Sequence, residues 1–426
     1  MHQTKLNICM EIKRDYHLQR LVSRKHNGMV KVVTGMRRSG KSYLLFTIFY
    51  KHLLEEGVAD DHIVRIDLED RLNKALRNPD ELLTYVRSRI KDENTYYILL
   101  DEVQHVNEFE DVLNSMLHIG NADVYVTGSN AKFLSKDVIT EFRGRGDEVN
   151  IRPLGFKEFL SARPSLGKED ALREYMTYGG LPQTVTMQTV EQKENYLKSL
   201  FTNTYLLDIK ERYNIKNDDD LEELISMLAS GIGGLVSAKK LQDTFHSVKK
   251  STISYETIKR YLDMLQDAFI LERAIRYDIK GRRYISTTSK YYFEDLGLRN
   301  ARINFRQSER THLLENMIYN ELRLRGFSVD VGEVSVNGKN SEGKSYRSTL
   351  EVDFVCNSGY KRHYIQSALA LPSQEKMEQE LNSLRRINDD FQKILIVGDA
   401  MQPTYQNEDG ILILNVYDFL LDSQPY

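Results

Sequence analysis

The sequence predicts an α/β protein whose N-terminal part is a parallel sheet. Between residues 31 and 152, five short runs rich in β-branched and apolar residues alternate with helix-length segments, an order typical of parallel sheets covered by helices. A second observation agrees, because a glycine-rich turn at residues 35–42 joins the first run to a helical pattern. The predicted strands are residues 31–34, 63–68, 97–100, 123–127 and 148–152.

The glycine-rich turn has the pattern G-x-x-x-x-G-K-S, beginning at Gly35 and ending at Ser42, and the helical pattern after it stops at Gly57. In that context the backbone N–H groups of the loop can surround phosphates at a helix N-terminus. The lysine of such a loop reaches the β- and γ-phosphates, and the serine hydroxyl ligates Mg²⁺. We therefore predict an ATP site with contacts from Gly35, Arg37, Arg38, Ser39, Gly40, Lys41, Ser42 and Tyr43.

The third predicted strand ends in two carboxylates, Asp101 and Glu102, about 60 residues after the glycine-rich loop. We expect Asp101 to join Ser42 in holding Mg²⁺, and Glu102 to polarise the attacking water. The alternative is a strand that ends in two solvated acids. Gln104 and His105 follow directly, and contacts with the water or the γ-phosphate are as plausible for them as simple loop positions.

Other polar residues are candidates for contact with the γ-phosphate. Ser129 and Asn130 follow the fourth predicted strand, where a polar side chain can sense that phosphate; a turn with no catalytic role is the alternative. Further on, Arg143 and Arg145 are framed by glycines. Arg145 could neutralise transition-state charge in cis or across a subunit boundary, and a basic turn paired with the two acids that follow is the other interpretation. For Arg37 and Arg38, too, pairing with nearby acids is an alternative to phosphate contact.

These motifs occur in an order that resembles the prokaryotic AAA-type ATPases with a C-terminal domain of unknown function, related to the archaeal ATPases of the signal-transduction P-loop group. The resemblance implies a P-loop NTPase sheet in the order 5-1-4-3-2. One departure is Gly155, where that family usually has serine. The resemblance covers nearly the whole chain, through residues 35–42, 101–104, 127–130, 144–145, 153–160, 178–182 and 205–209.

Four domains are expected from the changes in pattern along the chain. Residues 1–155 form the ATPase core, and residues 156–232 form a helical lid that is interrupted at residues 178–182. A winged helix at residues 233–307 and a nuclease-like α/β domain at residues 308–426 complete the chain.

The winged-helix prediction rests on two capped helices followed by a hairpin with a basic turn. Ser237 and Ser254 precede helical patterns, and the second helix carries apolar residues at helical spacing from Ile258 to Leu265. Residues 237–306 hold 15 Lys and Arg against 8 Asp and Glu, which favours contact with a polyanion such as duplex DNA. A protein-interaction module or a rigid lid is the alternative. The candidate phosphate contacts are Lys239, Lys240, Lys249, Lys250, Lys259, Arg260, Lys280, Arg282 and Arg283.

The C-terminal pattern, a helix at residues 313–322 followed by strands, resembles a restriction-endonuclease-like fold of the PD-(D/E)xK type. Glu315, Asp353 and Gln366 match the acidic and polar positions, but the lysine position is Ala368. In that fold, the acidic and polar side chains hold Mg²⁺, and the lysine stabilises the negative charge that develops during cleavage. We therefore expect a degenerate fold kept for binding or assembly; an active nuclease would need a substitute such as Lys344 or Lys361.

Composition narrows the class of protein. The chain has no apolar stretch near the ~20 residues that a membrane helix needs, and it has two cysteines far apart, Cys9 and Cys356, so neither a membrane span, a disulfide framework nor a zinc site is expected. A cytoplasmic Mg²⁺-dependent ATPase, whose nucleotide state rearranges the C-terminal modules, is the leading hypothesis. An ATP-gated nuclease and a nucleotide-dependent scaffold with negligible turnover are the alternatives. Duplex DNA, protein partners and an oligomer are candidate associations.

Overall fold

The computed structural model describes residues 12–128, 144–215, 218–250, 252–306, 309–339 and 345–422. The chain divides into two compact units, Met1–Pro153 and Leu154–Tyr426. Among the helices of these described ranges, none is long and apolar enough to cross a membrane.

The first unit contains a five-stranded parallel sheet in the order β2-β3-β4-β1-β5. This is the predicted order 5-1-4-3-2 read from the other edge, and all five predicted strands are confirmed. The strands are β1 Val30–Gly35, β2 Ile63–Asp67, β3 Tyr96–Asp101, β4 Ala122–Thr127 and β5 Gly146–Ile151.

Helices cover both faces of this sheet, so its strands are apolar on both sides. Val32 and Ile98 point into one core cluster, whereas their neighbours Val33 and Leu99 belong to the cluster on the other face. That alternation explains why the strands appear in the sequence as nearly continuous apolar runs. The helices are α1 Asp15–Val22, α2 over residues 41–55 with a π-helical segment at Leu44–Phe49, α3 Pro79–Arg89 and α4 Phe109–Met116, and the 3₁₀ turns are Asp60–His62, Arg71–Arg77 and Val103–His105.

The second unit is built on an eight-stranded mixed sheet in the order β12-β13-β11-β10-β9-β8-β6-β7. Its strands are β6 Leu271–Asp278, β7 Arg283–Phe293, β8 Ser328–Lys339, β9 Ser345–Ser358, β10 Lys361–Ala368, β11 Gln392–Val397, β12 Tyr405–Gln406 and β13 Leu412–Asn415.

Most helices of this unit precede its sheet, in agreement with the helical pattern predicted for residues 156–232. Two of them change to π-helical hydrogen bonding part-way, at Phe201–Leu206 and Phe245–Lys249. The α-helical segments are Phe156–Ser161, Lys168–Tyr178, Pro182–Thr186, Val190–Leu200, Leu207–Tyr213, Asp219–Ser230, Ala238–Thr244, Tyr255–Asp267, Leu296–Arg302, Arg310–Leu324, Gln374–Arg385 and Val416–Leu421.

The segment predicted as a winged helix has the expected elements in a different setting. The hydroxyls of Ser237 and Ser254 cap the helices at Ala238–Thr244 and Tyr255–Asp267 as predicted. The hairpin β6–β7, however, is not a free wing, because β6 pairs in parallel with β8 and forms one edge of the eight-stranded sheet. This pairing supplies partners to backbone groups that an isolated hairpin would leave open. A separate winged helix, like a nuclease-like domain, stays a prediction.

The break at residues 178–182 is fastened by a buried carboxylate. Asp295 accepts hydrogen bonds from the backbone N–H of Gly180 at 2.8 Å and of Leu298 at 3.0 Å. A Cβ atom on Gly179, whose φ is +74°, would lie 2.3 Å from the carboxylate oxygens, so the double glycine allows this close approach. Burial raises the pKa of Asp295 to about 6. One side chain therefore caps the helix Leu296–Arg302 and holds the loop before Pro182–Thr186.

Replacing Asp295 with alanine should destabilise the protein by about 2–4 kcal/mol, because it removes a helix cap and leaves buried N–H groups without an acceptor. Asp295→Asn keeps one acceptor oxygen but turns an NH₂ group toward an N–H that the other oxygen served, so it should recover only part of the loss. The urea dependence of circular dichroism for both variants gives the comparison. A loss below about 1 kcal/mol for Asp295→Ala would mean that the hydrogen bonds of Asp295 contribute little.

Candidate nucleotide-binding site

The glycine-rich loop begins at the end of β1, where Gly35 lies opposite Ile151 of β5. Gly35 has a φ of +132°, and a Cβ atom there would lie 2.1 Å from the carbonyl oxygen of Ile151. Gly40, at the start of α2, has a φ of +94° and a ψ of 24°, a left-handed conformation that favours glycine. Both glycines of the motif are therefore required by the backbone, which fixes the loop between β1 and α2.

The side chain of Lys41 packs against the first two residues of the loop. This side chain is buried, and Nζ donates to the carbonyl oxygens of Gly35 and Met36, each at 3.0 Å. Ser39 is also buried, and its hydroxyl has no hydrogen-bond partner among the described residues. The other predicted contacts lie further out, with Arg37 half-buried and Arg38, Ser42 and Tyr43 exposed.

The predicted magnesium ligands are brought together. Asp101 is the buried last residue of β3, and its carboxylate accepts hydrogen bonds from the hydroxyls of Thr127 and Ser42. Burial raises the pKa of Asp101, and the charges of Glu102 and Asp67 act in the same direction. Asp67 lies opposite Asp101 in the register of β2 and β3. The hydroxyl–carboxylate pair supplies the hard oxygen donors that Mg²⁺ prefers.

Thr127, which the sequence did not single out, connects both acids. Its hydroxyl donates to Asp101 and accepts a hydrogen bond from the backbone N–H of Glu102 at 3.0 Å. Glu102 is in the left-handed region with a φ of +52°, and its carboxylate accepts a hydrogen bond from the side-chain amide of Gln104. His105 is exposed. The signal for Thr127 was its place as the last residue of the strand beside β3.

The structure does not bring Arg145 to the loop of its own chain. Arg145 directly precedes β5, and its carbonyl oxygen accepts a hydrogen bond from the N–H of Val30 at 2.9 Å. The parallel strands β1 and β5 place Gly35 opposite Ile151, so Arg145 lies about 20 Å away at about 3.3 Å per residue. A role across a subunit boundary stays a prediction. Ser129, Asn130 and Arg143 lie outside the described residues.

Comparison of the sequence with known protein families supports a nucleotide-binding domain in the first unit. Residues 27–160 match a family model described as an AAA domain, and residues 169–309 match a domain of unknown function. The chain is 34% identical over 415 residues to an uncharacterized protein of Haemophilus influenzae, covering 96% of this chain and 98% of that protein. The chain belongs to the same family as this relative, and its residues 27–160 form an AAA domain.

Other similar proteins are more distant. An uncharacterized protein of Methanocaldococcus jannaschii is 29% identical over 370 residues, which cover 84% of this chain and 78% of that protein. Among solved structures, the Aeropyrum pernix ORC1 protein in complex with DNA is similar over 69% of this chain and 93% of that chain, with 12% identity and a TM-score of 0.30. A likeness at this TM-score says nothing about function.

Outside the AAA domain, the structure collects the three residues predicted for a nuclease-like site around an unpredicted lysine. Lys290 on β7 is 3% exposed, and its Nζ lies 2.7 Å from carboxylate oxygens of both Glu315 and Glu351. Asp353 accepts hydrogen bonds from Ser367 and Gln366. Burial, and then the charge of Glu315, raises the pKa of Asp353 to about 7.

Neither predicted substitute for the missing lysine is seen at this cluster. Lys361 begins β10, five residues before Gln366, and is exposed, whereas Lys344 lies outside the described residues. Within the described part of the chain, no group of three or more His, Cys, Asp and Glu residues could hold a metal ion. Lys290 could not be foreseen because β7 was assigned to the wing. Its ammonium compensates the buried carboxylates.

Lys290→Met should lower the free energy of unfolding by about 3–5 kcal/mol, because it leaves buried carboxylates without their cation. Lys239→Met is the matched control, since Lys239 pairs with Asp243 on an exposed helix face of the same unit and should contribute less than about 1 kcal/mol. Urea unfolding of both variants provides the measurement. A loss for Lys290→Met no larger than that of the control would contradict the assignment.

Proposed function

We propose that this AAA protein is a Mg²⁺-dependent ATPase whose site consists of residues 35–42 with Asp101 and Glu102. The observation that carries the proposal is the meeting of the Ser42 hydroxyl with the Asp101 carboxylate beside a phosphate-loop lysine. These groups come from the carboxyl ends of β1 and β3, which lie at the same edge of a parallel sheet. Ligands of open α/β sheets bind at that edge.

Each group in the site has a separate role in ATP binding. Lys41 would exchange the carbonyl oxygens of Gly35 and Met36 for phosphate oxygens, and the Ser39 hydroxyl, which has no partner among the described residues, would add a donor from within the loop. Ser42 and Asp101 would hold Mg²⁺, directly or through water. Bound there, Mg²⁺ would supply positive charge against the negative charge that develops on the phosphates.

Hydrolysis depends on the position of Glu102. Its carboxylate accepts a proton from the attacking water, and the amide of Gln104 orients it through the hydrogen bond described above. Thr127 holds Asp101 and the backbone of Glu102 at a fixed separation. In this way, one hydroxyl links the proposed metal ligand to the backbone of the proposed general base.

Turnover would switch the second unit through the strand that ends beside the loop. Gly35 packs against Ile151, and β5 leads directly into the second unit at residue 154. Loss of the γ-phosphate reorders loops in other nucleotide switches, and a shift of the loop here would reach the end of β5 first. A scaffold with negligible turnover is the alternative class of protein.

The deciding experiment measures Mg-ATP hydrolysis by the purified protein, with and without duplex DNA. Lys41→Ala should lose nucleotide binding, whereas Glu102→Gln should keep binding and lose about 10²–10⁴-fold in turnover, the usual contribution of a general base. Wild-type turnover equal to that of Glu102→Gln would instead indicate the scaffold. A supercoiled plasmid in the same reaction reports nuclease activity, and we expect none.

Duplex DNA is the partner that we propose for the basic segment of the second unit. All the predicted phosphate contacts whose side chains are described are exposed, as DNA binding requires, namely Lys239, Lys240, Lys250, Lys259, Arg260, Lys280, Arg282 and Arg283. The DNA arm of the hydrolysis assay tests this, because stimulated turnover supports a DNA-responsive ATPase. Turnover indifferent to DNA favours a protein partner.

Thr127→Val, which removes the hydroxyl at nearly constant volume, should lower kcat by about tenfold or more, since each lost hydrogen bond to a charged group costs about 1.5–3 kcal/mol. The Mg²⁺ concentration for half-maximal activity should rise, because Asp101 loses its orientation. Thr127→Ser keeps the hydroxyl and should restore most of the activity. Steady-state kinetics over a Mg²⁺ titration provide the measurement, and an unchanged Mg²⁺ requirement in Thr127→Val would refute the role.

A further inference from the structure

We propose that Arg14, which lies outside the phosphate-binding motif, positions the loop by fixing the peptide group between Ser39 and Gly40. The inference rests on the proposed ATP site. Arg14 is a positioning residue, because its guanidinium contacts the backbone of the loop and takes no part in the reaction. We expect it to raise the affinity for nucleotide by holding the loop in place.

Arg14 connects the loop to the end of β5. It is 3% exposed and directly precedes α1. One guanidinium nitrogen, Nη1, donates to the carbonyl oxygen of Ser39 at 2.9 Å, and the other, Nη2, donates to the carbonyl oxygen of Arg152 at 2.6 Å. Since the guanidinium is planar and rigid, the two bonds set the position of the Ser39 carbonyl relative to the sheet.

The direction of that carbonyl fixes the direction of the next N–H group. A trans peptide is planar, and its C=O and N–H bonds point in opposite directions. Because the carbonyl of Ser39 faces Arg14, the N–H of Gly40 faces away from Arg14, and we assign that opposite side of the loop to the phosphates. Gly40 permits this arrangement through its left-handed backbone, with φ +94°. Arg14 therefore orients in advance one of the donors that the loop offers to phosphate.

The same guanidinium also places positive charge next to the loop. His17, one turn along α1, is completely buried, and neither ring nitrogen has a hydrogen-bond partner among the described residues. Burial, together with the charges of Arg14, Arg20 and Arg152, holds the pKa of His17 well below its ordinary value. The imidazole stays neutral, so the arginines carry the local charge. The Arg14 charge is separated from the proposed phosphate site by the Ser39–Gly40 peptide group. Positive charge at this distance favours the binding of an anion such as ATP.

Experiment can separate a purely structural role of Arg14 from a role in positioning the loop. A second arginine, Arg20, also connects α1 to β5 through a hydrogen bond. Arg20 donates from Nη1 to the carbonyl oxygen of Asn150 at 3.0 Å, two residues before the carbonyl that Arg14 uses. No hydrogen bond of Arg20 to residues 35–42 occurs among the contacts described for these segments. Arg20 is therefore a matched control for the anchoring of α1 on β5.

The test compares Arg14→Met with Arg20→Met in the full chain, using a fluorescent ATP analogue with Mg²⁺ as the probe, well below the melting temperature. Both variants should melt earlier than the wild type. Only Arg14→Met should bind the probe about tenfold more weakly, which corresponds to about 1.4 kcal/mol. In hydrolysis, KM for ATP should rise about tenfold while kcat changes less than threefold. Arg14→Lys keeps the charge but not the fork and should recover part of the affinity.

Probe affinity of Arg14→Met within twofold of the wild type, or weakened no more than that of Arg20→Met, would overturn the inference. If Arg14→Met does not fold, Arg14→Lys against Arg20→Lys decides by the same comparison. Failure of the proposed function looks different, because the wild type would then bind the probe no better than Lys41→Ala. Binding that depends on Lys41 and is indifferent to Arg14 would leave the ATP site intact and remove only the role of Arg14.

Discussion

The place of β1 between β4 and β5 is the constraint on which the nucleotide site depends. Because all five strands are parallel, the loop after β1, the two acids at the end of β3 and Thr127 at the end of β4 meet at one edge of the sheet. The approach of β5 is so close that Gly35 has no room for a side chain. Sheet topology thus brings these residues together, and in our proposal the hydrogen bonds of Lys41, Thr127 and Arg14 orient the site.

The second unit depends instead on buried charges that are compensated within it. Asp295 joins the Gly179–Gly180 break to a helix N-terminus, and Lys290 balances the carboxylates near Asp353. Each of these charged groups stabilises the fold only when its partners are present, because burying an unpaired charge lowers the free energy of unfolding. Residues far apart in sequence are therefore tied together, and the sheet runs continuously from β7 to β12.

Structural features that depend on a few consecutive residues were predictable from the sequence. Features that depend on contacts between residues far apart in the chain were not. The five strands, the glycine-rich loop, the pair Asp101–Glu102 and the caps Ser237 and Ser254 follow from patterns a few residues long. Thr127, Arg14 and Lys290 have their roles through partners 25 or more residues away. A period-two pattern predicts the hairpin β6–β7 but cannot name β8 as its neighbour. For the same reason, the position of Arg145 at the far end of β5 became clear only from the strand register.

A crystal structure of the protein with Mg²⁺ and a non-hydrolysable ATP analogue tests the central claim most directly. The account predicts phosphate oxygens within hydrogen-bond distance of Lys41 Nζ and of the Gly40 N–H, with the metal bound by the Ser42 hydroxyl beside Asp101. Lys41 should then have left the carbonyl oxygens of Gly35 and Met36. An analogue bound elsewhere, with Lys41 still on those carbonyls, would contradict it.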